Sequence, residues 1–281
     1  MAVDMAALVA DLAAESADLD AMLAPLDTAD WRRPTPAVGW CVADQVSHLA
    51  FFDDAALTAA LEPDRFLRET TELAADGIDF PDRLAARYRD TPGEDLLAWF
   101  RRSRAALLEA FRTMDPGARL PWYGPPMSAA SAVTARLMET WAHGQDVADA
   151  LDRTRPPTDR LRHIAHLGAR TIGFAFMARG LDAPTEPIRV EVAGPHGDTW
   201  AWGPTDPANV VRGPALDFCL LVTQRRHRDD LALTTIGDVA AQWISIAQAF
   251  AGPPGTGRSP LAEPDRPHSA NTAVRSGDAS T

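Results

Sequence analysis

The chain has no lysine: each of its 27 basic residues is an arginine. That absence excludes a Schiff-base or lysine-nucleophile mechanism. It also excludes a P-loop, whose lysine must reach the phosphates. Cysteine is nearly absent, found only at Cys41 and Cys219, too few for a disulfide framework or a cysteine-rich zinc site. No apolar run approaches the ~20 residues of a membrane span. The opening MAVDMAALVADLAAE is acidic and helical, without the basic n-region or cleavage pattern of a secretory signal. Positive charge is scarce beside negative: 27 basic residues face 39 acidic ones, a formal net charge of −12. A nucleic-acid or anionic-membrane surface needs a basic face, so neither partner is expected. The expectation is a cytoplasmic enzyme or binding protein that acts on a small molecule.

What is present is apolar material in helical rhythm, with 46% hydrophobic residues. Leu8, Leu12, Leu19, Met22 and Leu23 share one side of a helix over 4–26. The prolines and glycine of TADWRRPTPAVGW mark a loop, and a second helix is predicted at about 43–61. Residues 62–80 are mixed and charged and take no assignment. Helical pattern returns at 81–90 and at 93–114, then at 129–151 behind a capping Ser128, then at 158–179. Beyond RGLDAPTEP the period shortens. IRVEVAG and DTWAWG alternate around a glycine-containing turn and read as a β-hairpin. GPALDFCLLVTQRR reads as a helix, LALTTIG as a strand, and 238–250 as a closing helix. The expected fold class is therefore α+β. A helical domain over 1–180 precedes a small α+β domain over 185–252, and a Pro/Gly/Ser/Thr-rich tail at 253–281 is expected to be disordered.

Chemistry concentrates in LMETWAHGQDVADAL. Glu139 and His143 stand one helical turn apart and share a face. Carboxylate oxygen and neutral imidazole nitrogen are ligands of a first-row metal. One helix cannot complete a coordination sphere, and His48, inside the apolar second helix, is the best third ligand. Two histidines and a glutamate leave a position open, which suits catalysis. The plainer alternative is a chance pair, with each histidine a hydrogen-bonded core residue. Trp141 falls on the opposite side of the helix. Asp146, three residues past His143, could orient a ligand histidine or be a solvated surface group. His163 and His166 lack a carboxylate in their own segment and read as packing or surface residues. Cys41 and Cys219 read as packing residues, while Trp122 and Tyr123 line a pocket mouth or cover the core.

VGWCVADQVSHLAFFD resembles the second-helix segment of the DinB-like metal-binding helical bundles, where a Trp precedes the helix and a His-Leu pair carries the first ligand. RLMETWAHGQDVADAL resembles the later segment that supplies the other two. Within that superfamily the chain is similar to the mycothiol-dependent maleylpyruvate isomerase group. That group joins a four-helix bundle to a small domain resembling sterol carrier proteins. The resemblance implies that His48, Glu139 and His143 hold a divalent metal, zinc by preference, and that mycothiol is the thiol cosubstrate. It also places Arg225 where the group has an arginine closing a helix, facing the active site and suited to a substrate carboxylate. The alternative for Arg225, with Arg226 and Arg228 beside it, is a solvated helix-end charge. Gln224 stands where the group is expected to have glycine, and the polar tail and TQRRHRDD depart from it too. These departures argue against maleylpyruvate itself as substrate.

Two functions follow as expectations. The first is an enzyme that adds a thiol to an activated small molecule, a carboxylic acid by the Arg225 argument, as a cis–trans isomerase or an S-transferase. The second is a non-catalytic metal- or small-molecule-binding module. Metal-activated water hydrolysis is a third chemistry open to the same ligands. DinB-like bundles occur as monomers and homodimers, and both states stay open.

Overall fold

A computed structural model describes residues 3–75, 77, 80–255 and 257–261. Helix α1 (Met5–Leu23) begins where the Asp4 carboxylate accepts the Ala7 N–H at 3.1 Å. A single turn, α2 (Thr28–Trp31), precedes α3 (Val42–Leu61). The charged stretch without a sequence assignment contains α4 (Pro63–Ala75), and α5 (Phe80–Tyr88) follows. Helix α6 (Gly93–Arg112) buries Leu96, Phe100, Leu107 and Phe111, recurring at helical spacing. A two-residue ladder, β1 (Arg119–Leu120) against β2 (Met127–Ser128), leads into α7 (Ala129–Ala150). The Ser128 hydroxyl caps α7 by accepting the Ser131 N–H at 3.1 Å, as its position predicts.

The four long helices close a ring: α1 and α3 each pack on both α6 and α7. Helix α7 differs from its neighbours in having little polar face. Every residue from Trp141 to Ala148 is buried, so each polar side chain there must find its partner inside the protein.

The helix expected over 158–179 is two, α8 (Leu161–Arg170) and α9 (Ile172–Met177). Thr171 ends α8 by returning its hydroxyl to the Leu167 carbonyl at 3.0 Å. The hairpin forms as expected from β3 (Ile188–Ala193) and β4 (Thr199–Trp202), turning at Gly197 with φ +85°. A strand absent from the sequence reading, β5 (Asn209–Pro214), lies parallel to β3, and β6 (Thr234–Ile236) pairs antiparallel with β5. The sheet order is β4-β3-β5-β6. Helices α10 (Ala215–Val222) and α11 (Asp238–Ile246) meet through Phe218 and Trp243, ring centroids 5.9 Å apart.

The helical and sheet regions share one apolar cluster that includes Leu12, Leu137 and Trp141 as well as Phe218 and Trp243. Gly168 makes the joint possible. A Cβ there would stand 2.9 Å from a Val222 methyl, so only glycine lets α8 approach α10 this closely. The architecture is α+β, helical first and sheet second. Of the tail, residues 257–261 run back along the molecule, and 262–281 lie outside the described residues. Among the described residues no helix is long and apolar enough to cross a membrane.

Candidate metal centre

His48 on α3 meets Glu139 and His143 on α7, and one ligand atom of each lies within 4.8 Å of the others. The Glu139 Oε2 is the hub, 3.0 Å from His143 Nε2 and 3.7 Å from His48 Nε2. Among the described residues no fourth His, Cys, Asp or Glu joins the group.

The protonation of His143 follows from a chain of hydrogen bonds. The Thr35 hydroxyl donates to the Trp40 carbonyl at 3.0 Å, and its oxygen accepts from the Gln45 amide at 2.9 Å. That orients the Gln45 carbonyl toward His143 Nδ1, which must donate to it. The Nε2 of a neutral His143 is then a bare lone pair, facing the carboxylate oxygen of Glu139. Burial, with His48 beside it, pushes the His143 pKa down to about 3, so the ring is neutral near pH 7. Burial also lowers the pKa of His48, against the pull of Glu139. Burial pushes the Glu139 carboxyl up, but the hydrogen bond and charge of an imidazole that carries a proton would outweigh it, so the carboxyl is held well below the usual carboxylate range and any proton at the site goes to a histidine first. Three electron-pair donors therefore converge with no proton between His143 and Glu139. A divalent cation is the group that fits such a donor set.

The walls come from neighbouring segments. Gly39, at φ +81°, turns the 34–41 loop back on itself, with Thr35 N–H donating to the Trp40 carbonyl at 2.8 Å. This lays Trp40 on His143, stacked at 5.9 Å, and beside His48 at 5.4 Å. Arg89 pins the loop by donating to the Gly39 carbonyl at 2.9 Å and to the buried Asp44, also at 2.9 Å. On the other flank Phe52 lies 4.6 Å from the His48 ring and continues into Tyr123 at 5.5 Å and Trp122 at 6.3 Å. The PWYGPP aromatics thus extend the aromatic wall beside His48.

Asp146 is fully buried, which excludes the surface alternative. It does not take the expected place behind His143, because Gln45 holds that nitrogen. Its oxygens instead face Arg225 Nη2 at 3.0 Å and Arg258 Nη2 at 2.5 Å. Arg225 is not a solvated helix-end charge. Its Nε donates to the Ala142 carbonyl at 3.3 Å, next to His143, and its Nη1 to Thr223 at 2.6 Å. Among the described residues each Nη keeps at least one N–H uncommitted. Gln224 adopts φ +58°, the left-handed geometry that favours glycine. The helix end explains why: Gln224 N–H returns to Leu221 at 2.9 Å and Arg225 N–H to Leu220 at 2.8 Å, a Schellman closure that aims Arg225 at α7.

The remaining candidates separate. His163 pairs with Asp11 at 2.7 Å, and His166 accepts from the Trp202 indole at 3.0 Å. Burial raises the pKa of both Cys41 and Cys219, consistent with packing roles. Trp141 is buried in the main core, away from the triad. The sequence reading missed Gln45, Arg258 and the Asp53–Arg104–Arg136 cluster described below. Gln45 had one signal, a position three residues before His48 on the same helix face.

A four-helix bundle that gathers two histidines and a glutamate between α3 and α7, joined to a small mixed sheet, defines the class. Residues 12–148 match the family model described as the mycothiol maleylpyruvate isomerase N-terminal domain. Residues 184–235 match a model described as wyosine base formation, a different description from the expected sterol-carrier likeness. Two uncharacterized proteins from strains of Mycobacterium tuberculosis are each 51% identical over 255 residues, covering 91% of this chain and 99% of theirs. The crystal structure of a mycothiol-dependent maleylpyruvate isomerase superposes with a TM-score of 0.57 over 83% of this chain and 93% of that one, at 16% identity. A histidine-to-alanine mutant of that isomerase matches with the same TM-score of 0.57 at 15% identity. At such identity the likeness shows the fold. The chain belongs to the mycothiol maleylpyruvate isomerase-like family.

Proposed function

We propose that this protein is a zinc-dependent enzyme that uses mycothiol to attack an activated double bond, as a cis–trans isomerase or an S-transferase. The observation that carries the reading is the convergence of two neutral imidazoles on the Glu139 carboxylate, with no fourth protein ligand among the described residues. Membership in the mycothiol maleylpyruvate isomerase-like family supports the thiol. A zinc ion in that position supplies a cation that keeps a bound thiol as its thiolate at neutral pH.

The chain's own residues do the rest. Gln45 fixes the tautomer of His143, so its Nε2 is always available as a ligand. Trp40 and Phe52 cover the imidazoles and keep water from that side. Addition of the thiolate sulfur to one alkene carbon pushes the electron pair toward a conjugated carbonyl oxygen. The bond between the former alkene carbons can then rotate, and loss of the thiolate restores the double bond in the other geometry. If the sulfur stays and carbon takes a proton, the outcome is S-transfer. The uncommitted N–H groups of Arg225 suit the acid group of the substrate or its developing enolate.

Metal content of purified protein is the deciding measurement, with His48→Ala, Glu139→Ala and His143→Ala alongside. One zinc per chain in the wild type, lost in each variant together with thiol addition to electrophilic acids, is the expected result. A chain that neither carries nor takes up zinc removes this reading and leaves the binding module. Turnover without thiol would point to hydrolysis.

A further inference from the structure

A cavity of about 630 Å³ lies between the end of α7, α10 and the 257–261 segment, and none of His48, Glu139 and His143 lines it. Its size is that of a small-molecule site. Five arginines line it, Arg153, Arg155, Arg225, Arg226 and Arg258, in a chain whose formal charge is −12.

Their partners do not balance them evenly. Arg155 donates to Glu15 and to the Trp141 carbonyl. Arg226 takes Asp149 in a two-pronged pair at 2.6 and 2.7 Å. Arg225 and Arg258, by contrast, share the single carboxylate of Asp146. Arg153 reaches the Met22 carbonyl at 3.4 Å and makes no carboxylate pair among the described residues. Of the acidic lining residues, Asp152 pairs with Arg33 at 3.0 Å, and Asp230 accepts the Leu261 N–H at 3.0 Å. Two guanidinium groups therefore face the space with one carboxylate between them and a third cation nearby. Burial, together with the repulsion of Arg225 and Arg226, lowers the pKa of Arg258 in spite of Asp146, a crowding that a further anion relieves.

The segment that brings Arg258 is tied down on both sides. Arg179 donates to the Gly255 carbonyl at 2.9 Å, and Leu261 N–H caps Asp230. Arg258, Ser259 and Leu261 form part of the cavity wall. We propose that this cavity binds a small organic anion, its carboxylate or phosphate group seated between Arg225 and Arg258, with Arg153 at the rim. Guanidinium forks match the geometry of both oxyanions. The proposal shares Arg225 with the reading above, and it differs in needing Arg258 and Arg153 but neither metal nor thiol, so anion binding to metal-free protein tests it separately.

The test is calorimetric titration of the full chain with succinate and, separately, with inorganic phosphate at fixed ionic strength. Saturable one-site binding by either anion is expected, and the stronger of the two identifies the group. Arg258→Gln should weaken it by roughly tenfold or more. Arg153→Gln, at an exposed side chain, should weaken it less and serves where Arg258→Gln does not fold. Chelator-stripped protein should bind equally well, which separates this site from the metal centre. Absence of saturable binding by both anions, or unchanged affinity in the variants, would overturn the proposal.

Discussion

The Gln45 amide can face His143 in only one way, because its NH2 is already given to Thr35 at 2.9 Å. Replacing it with leucine removes the acceptor and frees the imidazole to protonate either nitrogen. Loss of such an outer hydrogen bond costs about 10–100-fold in metal affinity. Gln45→Leu should therefore retain the fold and lose zinc to a competing chelator at correspondingly lower chelator concentration. An unchanged competition curve would show that His143 needs no support. Sequence marked the three ligand candidates because His and Glu on apolar helix faces are conspicuous. A glutamine in a helix reads as a surface residue, and only the buried Thr35 of the 34–41 loop, which takes its amide, reveals its role. Asp146 shows a second limit. Its spacing left open a place behind His143 or on the surface, but spacing along one helix says nothing of α10 or of the 257–261 segment, which bring the two arginines it holds.

At the scale of elements, a buried ion cluster ties the ring of helices together. Asp53 on α3 accepts from Arg104 of α6 at 2.7 Å and from Arg136 of α7 at 2.9 Å. Arg104 also donates to Thr140 of α7 at 3.0 Å and to Ser16 of α1. All four helices thus contribute to one network with Asp53 at its centre, and Asp53 is fully buried. Removing that carboxylate leaves two guanidinium groups unpaired in the interior, a loss of about 3–5 kcal/mol. Urea unfolding of Asp53→Ala should show it. A change below about 1 kcal/mol would mean that water or a shifted side chain takes the place of the carboxylate. The long amphipathic helices were legible because large apolar residues fall on one face, Leu8, Leu12, Leu19 and Leu23 in α1 and Leu96, Phe100, Leu107 and Phe111 in α6. Strand β5 was not, since only Asn209, Val210 and Val211 are buried, too short a run for periodicity. The split at Thr171 was likewise hidden, because the nearby Gly168 and Gly173 do not mark its position and the break depends on a hydroxyl bonding back to Leu167.

For the whole molecule, the order of helices and strands could be read along the chain, but the docking of sheet on bundle could not. That joint depends on contacts between residues far apart in sequence, and one of them is sensitive to pH. The Trp202 indole of β4 donates to His166 Nδ1 of α8 at 3.0 Å, a bond that only the neutral ring can accept. Burial lowers the pKa of His166 below 6.5, helped by the positive charge of Arg170 and by His163. The sign follows from proton counting. Between the folded value and 6.5 the unfolded chain binds more protons at this residue, so stability rises with pH across that interval. The contribution is intact at pH 7 and is lost as pH falls below about 6.5. Because the ring is exposed on one side, solvent screening keeps the effect to a fraction of a kcal/mol. His166→Asn keeps a neutral acceptor in place of the imidazole. Urea midpoints measured at pH 7 and pH 5 should fall further for the wild type than for this variant. Equal falls in both proteins would show that the α8–β4 seam does not depend on His166, and that any acid sensitivity arises at other groups.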